Sequence, residues 1–286
     1  MKDRRERTSS AGRAGSVGRA GTAGRGVPSA GRAPDPATQV TPDAAEVPIE
    51  VRPAPDFSEP TIRLAPEFES QANAYIDLLM EWNERLNLVS RRMTRDDLLR
   101  HVLGSLAPLE LLEAAGPTAA DFSLLDIGSG GGLPALPLLL ARPTWKGVLV
   151  EGMLKKCRFL REAATRLVPG RARVIQARYE ELPGPGAEVS EDPEFGPTPE
   201  LVIPGNTFQM ITMRAVAPDR KLVNHISEQV RVDLAVGGWM VWFASRDEAI
   251  KQQALDALAR IGLEDVRLVR VDWADTTLAT GRGPAR

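Results

Sequence analysis

A chain of 286 residues with 43% hydrophobic content can bury one full α/β core with residues to spare. A formal net charge of -2, with 26% of residues charged, excludes bulk attraction to nucleic acid or to a membrane surface. A single cysteine, Cys157, excludes an intramolecular disulfide and points to a reducing, cytoplasmic setting, where a buried helix-face thiol is the expected role. No apolar run approaches the roughly 18 residues that cross a bilayer, and the N-terminus lacks the apolar centre of a secretory signal, so no membrane partner is expected. The charge is uneven: residues 1–35 carry eight Lys/Arg against three acids, or +5, which leaves the remainder near -7.

Residues 1–60 are rich in Arg, Gly, Ala and Pro, with Arg13, Arg19 and Arg25 six apart in an AGRAG-like repeat. Such a composition buries too little apolar surface to offset chain entropy, so a disordered arm is expected, serving as a solvated tail or a loose phosphate tether. A helical segment over 61–115 follows. Phe68, Ala72, Tyr75, Leu79, Trp82 and Leu86 recur at helical spacing, predicting one helix over Glu67–Leu88. Thr94 and Asp97 form a capping-box pattern that opens a second, running through Leu112.

Alternation of strands and helices then fills 116–280. Strands are predicted at Leu124–Gly128, Gly147–Glu151, Ala172–Ala177, Phe208–Met213, Trp239–Ala244 and Val266–Val271. Helices are predicted at Leu133–Ala141, Leu154–Val168, Arg220–Leu234 and Asp247–Ile261. A Pro/Gly/Glu-rich stretch over 183–205 reads as an inserted loop, and Thr276–Arg286 lacks a good apolar strand. Strands spaced by helical segments imply βαβ units on a mainly parallel sheet with helices on both faces. Ligands of such sheets lie beyond the carboxyl ends of the strands.

There the most informative stretch begins, Asp126-Ile127-Gly128-Ser129-Gly130-Gly131-Gly132-Leu133-Pro134. A strand runs into four glycines, which permit positive φ and close approach of a ligand to the backbone. A dinucleotide fingerprint begun at Gly128 would place its third glycine where Leu133 stands; begun at Gly130, it would fall on Ala135, which some enzymes tolerate. Asp126 suits a cofactor with a cationic amino group and would repel a pyrophosphate. Glu151, closing the next strand, can accept hydrogen bonds from both hydroxyls of a ribose, in an adenosyl or a nicotinamide cofactor alike. Arg178-Tyr179-Glu180-Glu181 puts further acids after the third strand. Three acid-bearing strand ends around one glycine turn favour S-adenosyl-L-methionine.

Several pieces, in order over about residues 67–245, resemble the RsmG (GidB) family of methyltransferases. They are Trp82-Asn83-Glu84-Arg85-Leu86-Asn87-Leu88, Arg100-His101-Val102-Leu103, the Asp126–Pro134 run, Lys155-Lys156-Cys157-Arg158-Phe159-Leu160, Arg178-Tyr179-Glu180-Glu181, and Met213-Arg214-Ala215-Val216-Ala217. The resemblance implies a Rossmann-like class I methyltransferase fold and methyl transfer to N7 of a guanine in 16S ribosomal RNA. The partner implied is the small ribosomal subunit or its precursor. It implies S-adenosyl-L-methionine contacts at Gly128, Leu133, Tyr179, Glu180 and Arg214, joining Asp126, Gly130 and Glu151 from the residues themselves. Lys155, Lys156, Arg158 and Arg161 make a basic helix face for RNA, or a merely solvated one. The chain departs from the family at Ala135 (usually Gly), at Gly104 (usually an acid) and at Ala244-Ser245 (commonly Lys-Gly).

A guanine N7 has a free lone pair, so no general base is needed. His101 and His225 therefore read as structural, no metal is called for, and Arg214 is the best candidate to shape the reaction site. A monomer is expected. The rival readings are a methyltransferase acting on a small molecule or protein, an RNA-binding module whose cofactor site has decayed, and a nicotinamide oxidoreductase.

Overall fold

The computed structural model describes residues 57–116, 118–183, 207–216, 230, 233–244 and 247–284, with residues 203 and 205. Residues 1–56 of the basic arm lie outside them, as do nearly all of the 183–205 insertion, nearly all of the helix expected over Arg220–Leu234, and His225.

Helix α1 (Phe68–Asn83) buries Phe68, Ala72, Tyr75, Ile76 and Leu79. It stops short of the predicted Leu88. The Asn83 side-chain oxygen accepts the N–H groups of Leu88 (2.9 Å) and Val89 (3.1 Å), offering the backbone a turn in place of further helix. Helix α2 (Arg95–Gly104) opens on the predicted capping box, with Thr94 and Asp97 each accepting the other's backbone N–H. Those Thr94 hydrogen bonds, with help from Arg100, hold the Asp97 carboxyl down at about 2. The helix does not continue to Leu112. Pro108 cannot supply a helical N–H, so the chain bends at Ser105-Leu106 and restarts as α3 (Ala107–Ala115) with the proline in its first turn.

The sheet comprises β1 (Ser123–Ile127), β2 (Lys146–Glu151), β3 (Ala172–Gln176), β4 (Phe208–Arg214), β5 (Leu234–Phe243), β6 (Glu264–Val271) and β7 (Thr276–Arg282). Their order is β3-β2-β1-β4-β5-β7-β6. The first five run parallel, and β7 is antiparallel to both its neighbours. The final strand is a correction to the sequence reading. Thr276–Arg282 looks unsuited to a strand because Ala279, Thr280 and Gly281 are small, yet small residues are what a strand wedged between two others can hold. A Cβ on Gly281 would lie 2.9 Å from the Leu263 Cβ.

Alternate residues feed two cores. Leu124, Leu149, Met210, Val241 and Phe243 face the layer formed by α1, α2, α3, α4 (Ala135–Ala141) and α5 (Leu154–Leu167). Leu125, Val150, Ile211, Met213 and Trp242 face α6 (Glu248–Ile261). The helical segment is thus one wall of the sheet's own core. Chain order reverses between β1 and β4, and their register sets Asp126 beside Thr212. A ligand crevice belongs beyond that pair.

Glu110 pins the periphery together. Fully buried on α3, it accepts the Thr61 N–H (3.0 Å), the Thr61 hydroxyl and the Trp273 indole N–H (2.9 Å). Glu110→Ala strips three donors of their acceptor, so urea unfolding should show a loss of about 2–4 kcal/mol.

Candidate functional site

Beyond β1 the chain turns through glycines that tolerate no substitute at two positions. Gly128 has φ +74°, and a Cβ there would lie 2.9 Å from a Val216 methyl; Gly132 has φ +87°, and its Cβ would lie 2.5 Å from Leu136. The turn is held by N–H groups of Gly128 and Ser129 on the Val150 carbonyl (2.9 and 3.1 Å). From behind, the buried Tyr75 hydroxyl donates to the Gly131 carbonyl at 2.6 Å, so α1 supports the turn directly. Helix α4 begins only at Ala135, two residues later than Leu133.

Two acids frame this turn. Asp126 is 1% exposed: its Oδ1 accepts the Thr212 hydroxyl at 2.6 Å, while its Oδ2 has no partner. Burial pushes its carboxyl up to about 7, against the Thr212 and Ser129 hydrogen bonds and the Arg214 charge, which pull down. Glu151, 8% exposed, accepts the Gly130 N–H (2.9 Å) and the Met153 N–H (2.8 Å), one on each oxygen. A buried carboxylate oxygen left unpaired is costly unless a ligand completes it. The ligand group suited to that oxygen is a cationic donor. The carboxylate acceptors beside the turn therefore fit a cationic amino group.

On the far side of Val216 lies a cleft of about 960 Å³. Its walls come from α2 (Arg100, His101), the ends of β4 and β5 (Arg214, Phe243), the start of α6 (Lys251) and the β6–β7 turn (Trp273, Thr276). Arg214 is its central charge. One terminal nitrogen donates to the His101 carbonyl (3.1 Å) and the Ser105 hydroxyl (2.7 Å), the other lies 2.7 Å from His101 Nδ1, and the guanidinium sits 5.2 Å from the centre of the Phe243 ring. The C-terminus of α2, where helix carbonyls run out of partners, is a natural seat for a cation. Burial nonetheless lowers the Arg214 pKa.

A family described as rRNA small subunit methyltransferase G, GidB, matches residues 68–261, more than half of the chain. The chain belongs to the GidB family. A relative from Xanthomonas campestris pv. campestris bearing that methyltransferase name is 39% identical over 132 residues, 46% of this chain and 54% of the relative. One from Bordetella petrii is 30% identical over 188 residues, covering 64% of this chain and 70% of the relative. The chain thus spans about half the length of its Xanthomonas relatives. Among solved structures, a SAM-dependent methyltransferase from Aquifex aeolicus aligns with TM-score 0.46 at 14% identity, covering 63% of this chain and 92% of that one.

The expected site residues do not all meet at one place. Asp126, Gly128, Gly130 and Glu151 converge on the glycine turn, with Leu133 half-buried at its end. Tyr179 does not present its side chain there: it is buried in the α6-side core and its hydroxyl donates to Asp233 at 2.5 Å. Glu180 follows in a short 3-10 turn, 4.0 Å from Arg178. Arg214 belongs to the cleft, although its charge reaches Asp126. On α5, Lys155, Arg158 and Arg161 are exposed and Lys156 is half-buried, while Cys157 is buried as expected. Gly104 is tight for the family's acid, since a Cβ would meet Thr276 Oγ1 at 3.0 Å and the Ala274 carbonyl at 3.3 Å. Ala135 is fully buried, and Ala244 donates its N–H to the Thr277 carbonyl at 2.9 Å.

Sequence reasoning missed Tyr75, Thr212 and Ser105, and took His101 as structural. Thr212, a fully buried polar residue between Ile211 and Met213, was the one legible signal. Arg214→Met would leave the α2 C-terminus without its donors. A loss of about 3 kcal/mol is expected, together with faster hydrogen exchange confined to α2 and the residues after it.

Proposed function

We propose that this chain transfers a methyl group from S-adenosyl-L-methionine to N7 of a guanine in 16S ribosomal RNA, within the small subunit or its precursor. The observation that carries the cofactor is the orphaned Oδ2 of Asp126 beside the glycine turn. Asp126 would hold the ammonium group, the Gly128 and Gly130 backbone would admit the amino-acid portion, and Glu151 would take the ribose diol. When bound, the cofactor supplies an electrophilic methyl carbon on a sulfonium, which leaves as a neutral thioether.

The cleft across Val216 would seat the acceptor. Its described groups favour an acceptor with a ready lone pair. Asp97 is ionised but committed to its helix cap, and His101 Nδ1 is committed to Arg214, with burial pushing the ring's pKa below its ordinary value. A hydroxyl or amine that had to shed a proton would find no free base among them. N7 of guanine needs none: its lone pair forms the N–C bond, the C–S pair goes to sulfur, and the purine keeps all its protons. The protein's task is alignment, which effective-molarity arguments place at roughly 7–11 kcal/mol. Lys155, Lys156, Arg158 and Arg161 carry no ion pair with any described residue, so they are free to take RNA phosphates. Cleft-rim cations are already paired, Arg100 with Asp97 at 2.5 Å and Arg270 with Asp275 at 2.6 Å.

Calorimetry should detect S-adenosylmethionine binding, weakened at least tenfold by Glu151→Ala. Because a cation favours ionised Asp126, whose carboxyl sits at about 7, binding should release a proton near neutrality. Affinity should then fall toward tenfold per pH unit below 7, a dependence Asp126→Asn removes. Purified small subunits lacking the modification should gain one N7-methylguanine by mass spectrometry. Methyl appearing only on a small molecule or protein, or no transfer at all, overturns the RNA acceptor.

A further inference from the structure

His101 is the cleft side chain that methyl transfer alone leaves without a task. An arginine has donors only, so the 2.7 Å contact between Arg214 Nη2 and His101 Nδ1 makes Nδ1 the acceptor. A neutral imidazole then carries its proton on Nε2. Burial and the Arg214 charge, aided by Arg100 and opposed by Asp97, hold the ring below its ordinary pKa, so the neutral form persists at pH 7. Nε2 has no acceptor among the described residues, and His101 lines the cleft. Arg214 itself is anchored by the His101 carbonyl and Ser105, which fixes the whole unit.

We propose that His101 recognises the acceptor base, donating its Nε2 proton to the carbonyl at C6 of a purine, with Arg214 the positioning residue that locks the tautomer. This rests on the guanine-N7 acceptor put forward above. Guanine presents O6 beside N7, two adjacent acceptors, whereas adenine presents an N6 amine donor at the same edge. An Nε2–H facing that amine leaves two donors opposed, and a site built for a specific hydrogen bond rejects a base that cannot make it. Neutrality matters as well. Methylated N7 leaves a cationic purine, which an imidazolium at this position would repel.

The test uses the full chain, S-adenosylmethionine and small-subunit particles reconstituted with a transcript bearing guanine or 2-aminopurine at the accepting position. 2-Aminopurine keeps N7 and lacks O6. Wild-type protein should prefer guanine by about 100-fold in kcat/KM. His101→Leu should compress that ratio below about threefold while S-adenosylmethionine binding by calorimetry is unchanged. His101→Gln, which restores an N–H donor, should recover at least tenfold preference. A ratio unchanged in His101→Leu, or lost equally in His101→Gln, overturns the assignment. So does a wild-type protein that fails to discriminate, with no variant needed. If wild type binds the cofactor yet methylates neither particle, the ribosomal acceptor itself fails, and that outcome is distinct from any ratio.

Discussion

Withdrawing a guanidinium from water without a carboxylate in contact is expensive, and Arg214 is half-buried in that way. Its compensation comes from dipoles: a helix-end carbonyl, a serine hydroxyl, an imidazole nitrogen and the face of Phe243. The cost is met only if α2 stands at the end of β4, so this side chain ties the position of α2 to the sheet edge beside the cleft. It also sets the field in the crevice. The same cation opposes burial at Asp126, favouring the carboxylate, and adds to burial at His101, favouring the neutral ring.

Asp126 and Arg214 together define a site under tension. Neither has a full complement of partners from the protein. Among the described residues, Asp126 Oδ2 has no hydrogen-bond partner and Arg214 has no counter-ion at contact distance. Natural folds keep such groups where a ligand completes them, at the expense of stability without it. The glycine turn shares the same logic: positive φ at Gly128, Gly130 and Gly132 is a conformational cost that brings backbone N–H groups and both acids to one place.

The α/β alternation, the glycine turn and its two acids were all legible in the sequence, because hydrophobic period and glycine clustering are local signals. The rest required contacts distant in the chain. Helix α1 ended early through an Asn83 side-chain bond that its apolar spacing could not reveal. Strand β7 escaped notice because the demand for small residues comes from Leu263 and β5, not from its own pattern. Tyr179 was carried over from the family resemblance, and a partner 54 residues on, Asp233, decides where its hydroxyl points. His101 read as a structural histidine, and its partner, Arg214, lies 113 positions away. Side chains whose role depends on a remote partner are those that single-sequence reasoning misplaces.

Gly104 carries a different lesson. With the Thr276 hydroxyl and the Ala274 carbonyl 3.0 and 3.3 Å from where its Cβ would stand, the step from glycine to the family's usual acid requires the β6–β7 turn to give by a few tenths of an ångström. An aspartate introduced alone should therefore be harmful, while the same aspartate after loss of the Thr276 hydroxyl, or after shortening of the turn, should be tolerated. Position 104 and this hairpin are therefore coupled, so what a side chain at 104 costs is set by a neighbour 172 residues downstream in the chain.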